Sequence, residues 1–366
     1  MKLSSTLSVY VGRHFLGAFF GLLTLFLMLV LVFDVVELLR RAASKPDVTF
    51  PIVIEMALLK LPHMSQEVFP FAVLFGGMAC FWRLTRSREL VVTRAAGVSA
   101  WQFLLPPIVL AILLGVIQIT VINHLASNTL SRFEQIEAVR LKGSQSLLSL
   151  SGTELWLRQA NPDGQSVIHA KRVFQQGAEV ELRDLSVFMY AGKDAFRGRI
   201  DAKFAWLEDG FWRIRDAWVY EPEKPAKFEK THWLATDLTL DRIQDSFARP
   251  ETMSFWNLPG FIKTLETAGF SAVRHRLHWH SLLAAPLLMC AMVLIGATFT
   301  LRHSRRGATT FVVGGGVFSG FALYFFSDVV FALGLSDSIP VTLAAWSPSG
   351  VAMLLGLATL LHLEDG

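Results

Sequence analysis

Charge is scarce in this chain. Lys, Arg, Asp and Glu make up 17% of its 366 residues, against 52% hydrophobic residues. Soluble domains carry about 25% charged residues. The composition therefore excludes an ordinary soluble globular protein and points to an integral membrane protein. Cysteine is scarcer still: Cys80 and Cys290 are the only two, and both fall in apolar runs. That excludes a disulfide framework or a cysteine zinc site and reads both as small buried hydrophobes. Signatures of catalysis are missing too. There is no G-x-x-x-x-G-K-[ST] to hold ATP, no H-E-x-x-H and no G-x-S-x-G. No catalytic residue, metal ligand or cofactor is expected. His275, His278 and His280 crowd six residues without a nearby carboxylate, and histidines at a membrane interface are expected there rather than zinc ligands. A formal charge of +4 is mild and implies no nucleic-acid partner.

What is present is a set of long uncharged runs. Residues 15–33, 101–122, 281–301, 307–327 and 339–361 contain no charge, and each is long enough for the roughly 20 residues of a spanning helix. Residues 68–82 form a shorter run that extends back through 56–66, with Lys60 and Glu67 at an interface or facing protein. Six spans are expected. The first exceeds a signal-peptide core, and Asp34 and Glu37 follow it in place of a cleavage site, so it is expected to remain as an anchor.

Orientation follows the bias of Lys and Arg in short loops. Lys2, Arg13, Arg83, Arg86, Arg88, Arg94, Arg302, Arg305 and Arg306 fall on one side; Arg40, Arg41 and Lys45 fall on the other. Both termini are thus expected in the cytoplasm and the long insertion in the opposite compartment. Within that insertion, residues 138–250 read as an antiparallel β domain. Residues 179–189 alternate with a shift at Leu185, residues 211–220 are aromatic and β-branched, and Asn-Pro-Asp-Gly at 161–164 and Glu-Asp-Gly at 208–210 signal turns. Helical flanks are expected at 126–142 and at 258–269, the latter amphipathic through Leu258, Phe261, Ile262 and Leu265. The division is spans 1–3 over 1–137, the β domain over 138–250, an amphipathic connector over 251–277 and spans 4–6 over 278–366.

Three constellations stand out. Residues 85–97, Thr-Arg-Ser-Arg-Glu-Leu-Val-Val-Thr-Arg-Ala-Ala-Gly, are too short to span and too apolar for a plain loop. Ser87 is a candidate N-cap, Glu89 suits the first turn, and Gly97 suits the C′ position. Leu90, Val91 and Val92 make an apolar knuckle on a basic rim, and Arg86, Arg88, Glu89, Leu90, Val91 and Arg94 are the candidate coupling residues. Two readings stand open: an interfacial helix on anionic lipid, or a coupling helix gripped by a cytoplasmic ATPase. Second, Arg40 and Arg41, with Arg132 and Arg140 after the third span, place basic groups against the usual loop bias. They suit lipid phosphates or pair with Asp34, Glu37 or Glu137. Third, Gly17-x-x-x-Gly21 and Gly316-x-x-x-Gly320 are small-residue faces for close helix approach, read here as contacts with another subunit. Asp328 in the fifth span is costly at mid-bilayer and is expected to reach an interface or a polar partner.

The order three spans, β domain, connector, three spans resembles the lipopolysaccharide export permeases of the LptF/LptG (YjgP/YjgQ) family. Residues 86–99, Arg-Ser-Arg-Glu-Leu-Val-Val-Thr-Arg-Ala-Ala-Gly-Val-Ser, resemble that family's coupling segment in its LptG version, as do Leu61-Pro62, Phe69-Pro70 and Ala-Ala-Trp-Ser-Pro at 344–348. The resemblance implies an α-helical membrane protein with six transmembrane helices and a periplasmic, jelly-roll-like antiparallel β domain, in the bacterial inner membrane. It implies a non-enzymatic permease subunit of an ABC-type exporter, which takes lipopolysaccharide from the outer leaflet toward a periplasmic bridge. The implied partners are an LptF-like permease subunit, a dimer of an LptB-like ATPase, an LptC-like single-span protein and lipopolysaccharide itself. Glu89 would be the coupling glutamate, and Arg40 and Arg41 the basic pair ending the first span; Arg132 and Arg140 correspond approximately. Asp34 stands where some members carry a basic residue, a departure that bears on headgroup contact. The alternatives are the paralogous LptF-type subunit, an intramembrane enzyme, or a membrane-anchored periplasmic scaffold.

Overall fold

The structure is a computed structural model. It describes residues 5–43, 45, 48–95, 97–142, 148–151, 154–161, 164–176, 179–191, 195–222, 224–236, 238–239, 249–267, 271–300 and 309–364. The chain divides into two compact units. One comprises Met1–Gly143, Glu251–Trp256 and Arg276–Gly366; the other comprises Ser144–Pro250 and Asn257–His275.

The first unit is helical. It holds α1 (Ser5–Ala42), α2 (Phe50–Arg86), a short α3 (Glu89–Ala95) and α4 (Ala100–Ile117). A π turn (Gln118–Ile122) carries α4 into α5 (Asn123–Glu137). Six of the described helices, counting α4 and α5 as one rod, are long and apolar enough to cross a membrane. Lipid tails give spans no hydrophobic reason to associate, so packing and polar contacts hold them together. On α1 the packing is one narrow stripe, Val11, Phe15, Phe19 and Leu23, four residues apart. It lies against α2, where Phe19 meets Phe69 edge-on at 5.3 Å. A second cluster joins Leu38 and Ala42 of α1 to Val53, Met56 and Ala57 of α2 and to Leu130 and Phe133 of α5.

Two sequence features explain the joint between α2 and the α4–α5 rod. Pro70 lies inside α2 and has no N–H to give the carbonyl four residues before it. That carbonyl, Gln66 O, accepts instead from Gln118 Nε2 at 3.2 Å. The π turn that starts at Gln118 brings this amide inward, a common use of such bulges. Asn123 Nδ2 adds a bond to Gln66 Oε1 at 3.3 Å, and Asn123 Oδ1 accepts from the Phe255 N–H at 2.7 Å.

The second half of the bundle is α7 (Val273–Thr300), α8 (Thr309–Leu335) and α9 (Val341–Glu364), with α6 (Leu258–Thr267) ahead of it in the chain. A Cβ at Gly115 of α4 would stand 2.6 Å from the Cα of Pro286 in α7, so only glycine admits this crossing.

The second unit carries a seven-stranded antiparallel sheet: β1 (Leu148–Ser151), β2 (Glu154–Asn161), β3 (Gly164–Gln176), β4 (Glu179–Ala191), β5 (Ala195–Glu208), β6 (Phe211–Tyr220) and β7 (Lys227–Ala235). Strand order follows chain order, a meander whose curvature comes from within the strands. On β4 the buried set is Val180 and Leu182, then Leu185 and Val187. The step of three falls at Asp184, which takes φ +52°, a conformation Asp tolerates better than most residues. The same step recurs beside it, from Ala202 to Ala205 on β5 and from Ile214 to Ala217 on β6, where Asp216 takes φ +54°. The shift at Leu185 is therefore one rung of a corner that crosses neighbouring strands together. Buried Gln159 of β2 then ties to the far end of the meander: its Nε2 donates to Ala235 O at 3.2 Å and its Oε1 accepts from Thr236 at 2.7 Å.

Candidate functional site

The candidate functional residues of the helical unit fall in three places. The first is α3. Ser87 does not cap it: its hydroxyl donates to Arg83 O and Leu84 O, closing α2 instead. The N-cap expectation is corrected accordingly. Arg88 makes the sharp turn with φ +58°, and its carbonyl accepts the first α3 bond, from Val92 N at 3.2 Å. Gly97 ends the helix at φ +82°, with Gly97 N to Arg94 O at 3.0 Å and Val98 N to Thr93 O at 3.2 Å, the paired bonds of a Schellman stop. The expected knuckle splits. Leu90 is buried in the bundle's main cluster, whereas Val92 is exposed. The Val91 side chain lies outside the described residues. Arg88 and Arg94 are exposed, and Arg86 lies over the Trp82 ring at 5.1 Å. Glu89 is half-buried, and its carboxylate is hydrogen-bonded to the Tyr10 hydroxyl of α1.

The second place is the opposite end of α1. Glu37 is held by one fork, Arg40 Nε at 2.8 Å with Arg40 Nη2 at 2.9 Å, and by a single bond from Arg41 Nε at 2.8 Å. Arg41 also reaches Glu137 of α5 at 3.5 Å. The ion-pair reading of these arginines is thus observed, and both keep open guanidinium surface, with side chains 76% and 53% exposed. Arg132 and Arg140 are exposed on the rod that carries Glu137. Asp34 does not join this group. It pairs with Lys60 of α2 at 2.5 Å, the two only 12% and 25% exposed, and Lys60 also sits 5.8 Å from the Phe133 ring centroid. Lys60 therefore faces protein, and the acid at position 34 comes with its own cation.

The third place was not anticipated from the sequence. A cavity of ≈620 Å3 opens between α1, α2 and α8; its wall includes Leu22, Phe26, Phe75, Met78, Val317 and Phe321. Its lining is apolar throughout. Phe26 lies 14 residues before Arg40, so the cavity is roughly 20 Å along the helix from the cationic end. The two outer walls are spans the chain itself barely covers: 11% of the apolar window of α1 and 17% of that of α8 is buried, against 56% for α2 and α7.

The glycine pairs divide. A Cβ placed on Gly17 or Gly21 would meet no atom of the chain within 4 Å, so that face of α1 is open. Gly316 and Gly320 are already covered by α2: a Cβ on Gly316 would clash with Met78 Sδ, and one on Gly320 would stand 3.2 Å from Leu74 Cδ2. Their expected use at a subunit contact is corrected: they let α8 pack within the chain. Asp328 is exposed and accepts a hydrogen bond from Tyr324, one turn earlier. Arg302, Arg305 and Arg306 lie outside the described residues.

Residues 9–362 match the family described as lipopolysaccharide export system permease LptF/LptG. The chain is 26% identical over 312 residues to the lipopolysaccharide export system permease protein LptG of Escherichia coli strain K12, covering 83% of this chain and 84% of that one. It is 24% identical over 363 residues to the LptG protein of Haemophilus influenzae, covering 94% and 95%.

Proposed function

The chain belongs to the lipopolysaccharide export permease family LptF/LptG, and from that premise we propose how it works as the permease subunit of an ABC-type exporter. The observation that carries the reading is the pairing of a wholly apolar cavity with a cationic helix end on the same span. An amphipathic lipid fits that arrangement: acyl chains fill the cavity, and phosphates take the exposed guanidinium surface of Arg40 and Arg41 in exchange for their carboxylate partners, with Arg132 and Arg140 nearby on the α5 rod. Lipopolysaccharide enters sideways past α1 or α8, the least covered spans, and leaves toward the β domain. In this reading the termini are cytoplasmic and the β domain is periplasmic.

Hydrolysis occurs on a separate LptB-like ATPase dimer that grips the exposed side of α3, including Arg88, Val92 and Arg94. Leu90 roots α3 in the bundle, and the Glu89–Tyr10 bond ties it to α1, the span that lines the cavity. Movement at α3 thereby reaches the substrate path as a push on α1. An LptF-like subunit seats on the open Gly17–Gly21 face, where backbones approach closely, and an LptC-like protein completes the assembly. The LptG-named relatives favour the LptG-type over the LptF-type subunit.

Photo-crosslinking in intact cells tests the path. A crosslinker at Phe26 or Val317 should capture lipopolysaccharide, and Arg40→Glu with Arg41→Glu should lower that yield several-fold. Absence of capture at both cavity positions would remove the cavity from the path; unchanged yield in the double variant would leave the arginines as ion-pair residues only.

A further inference from the structure

At the α3 end of the bundle, α1 and α2 leave a gap that shares Ala79 and Trp82 with the apolar cavity and adds charged groups the cavity lacks. A cleft of ≈490 Å3 has Arg13, His14 and Arg83 at its mouth, and Gly17, Ala18 and Ala79 on its floor. It adjoins a groove of ≈550 Å3 through the shared Arg13 and His14. The gap exists because the floor residues are too small to fill it. Its mouth is held in place: His14 Nδ1 lies 2.9 Å from Tyr10 O, and the two rings are 4.4 Å apart. The Trp82 ring forms a side wall, with the Arg86 guanidinium over it.

Arg13 and Arg83 are both exposed, and neither has a carboxylate at ion-pair distance among the described residues. The nearby carboxylate, Glu89, is engaged by Tyr10. Two guanidiniums from different helices thus converge, without a counter-ion, on a cleft whose interior is small and apolar. We propose that this cleft holds the phosphate of an anionic glycerophospholipid such as phosphatidylglycerol, with the first part of an acyl chain along Ala18 and Ala79. Arginine forks match phosphate oxygens, and basic pockets between spans are suited to anionic headgroups. Five residues of helix, about 7.5 Å, separate Arg13 from Ala18, the reach from a lipid phosphate to the start of its chain. A zwitterionic headgroup brings an ammonium toward two arginines and is disfavoured. The site differs from the apolar cavity in its paired arginines, and because Trp82 lines both spaces the Arg13 and Arg83 variants are what separate the two in the test.

The full-length chain in phosphatidylcholine nanodiscs, doped with brominated lipid, reports occupancy through quenching of Trp82, read as the difference from Trp82→Phe. Brominated phosphatidylglycerol should quench at several-fold lower mole fraction than brominated phosphatidylcholine. Arg13→Gln and Arg83→Gln should each reduce that preference about fivefold, and the double variant should abolish it. Arg13→Lys with Arg83→Lys should keep part of it, which separates loss of charge from loss of fold. Equal quenching by the two lipids, or a preference that survives the double Gln variant, overturns the proposal. Relief of quenching by millimolar inorganic phosphate at constant ionic strength would mark a free-anion site and overturn the lipid assignment.

Discussion

Lys60 and Asp34 show what a single charge means inside a span. Either alone in an apolar run would be expensive, yet each is part-buried against the other. Breaking a buried pair from one side costs about 3–5 kcal/mol, because the remaining charge stays desolvated. Lys60→Met should therefore lower the thermal midpoint of the purified chain sharply, while Lys60→Met with Asp34→Asn should recover most of the loss. Equal midpoints for the single and double variants would mean the pair is solvated. Glu89 is the second case. Its bond to Tyr10 places it between α3 and α1 rather than wholly outward. Glu89→Ala should abolish export, measured as lipopolysaccharide release in reconstituted vesicles, and Tyr10→Phe should reduce export while leaving ATPase binding intact. Normal export in Glu89→Ala would detach this residue from coupling. Both acids are visible as anomalies in the sequence. Their partners are not, because Lys60 and Tyr10 are chosen by which helix faces meet.

Elements were legible where one physical rule dominates. An uncharged run near 20 residues has few folded alternatives, so the spans could be read directly. The alternation in residues 179–189 likewise showed a strand and the position of its irregularity, though not that neighbouring strands kink at the same rung. The coordinated corner depends on register, and Asp184 and Asp216 become partners in it only once β4, β5 and β6 are aligned. The apolar cavity was illegible for the same reason: Phe26, Met78 and Val317 are ordinary span residues until three helices surround one space. Gly115 is similar, an unremarkable glycine until Pro286 lies across it. Gly115→Val must push two backbones apart, and overpacking of this kind costs about 1–3 kcal/mol. It should lower the thermal midpoint by several degrees, with Gly17→Val, on the open face of the purified subunit, as the near-neutral control. A smaller loss at Gly115 than at Gly17 would show that the α4–α7 crossing is not tight.

At the scale of the whole molecule, function depends on direction, and direction rests on charge rather than on packing. The α3 turn, with Arg83, Arg86, Arg88 and Arg94, concentrates cations at one end of α2, and positive loops stay cytoplasmic. Arg40 and Arg41 run against that bias, but much of their charge is met at once by Glu37 and Glu137, so they weigh less in topology than a bare count suggests. In the proposed topology the β domain is periplasmic and α3 cytoplasmic. A cysteine at Gly164, where β3 begins, should react with a membrane-impermeant maleimide added outside spheroplasts, whereas one at Val92, 67% exposed on α3, should react only after lysis. Native Cys80 and Cys290 are buried and should stay silent in both. The reverse pattern would turn the molecule over. It would place the ATPase grip outside the cell interior, where no ATP is supplied, and the exporter reading would fail with the topology.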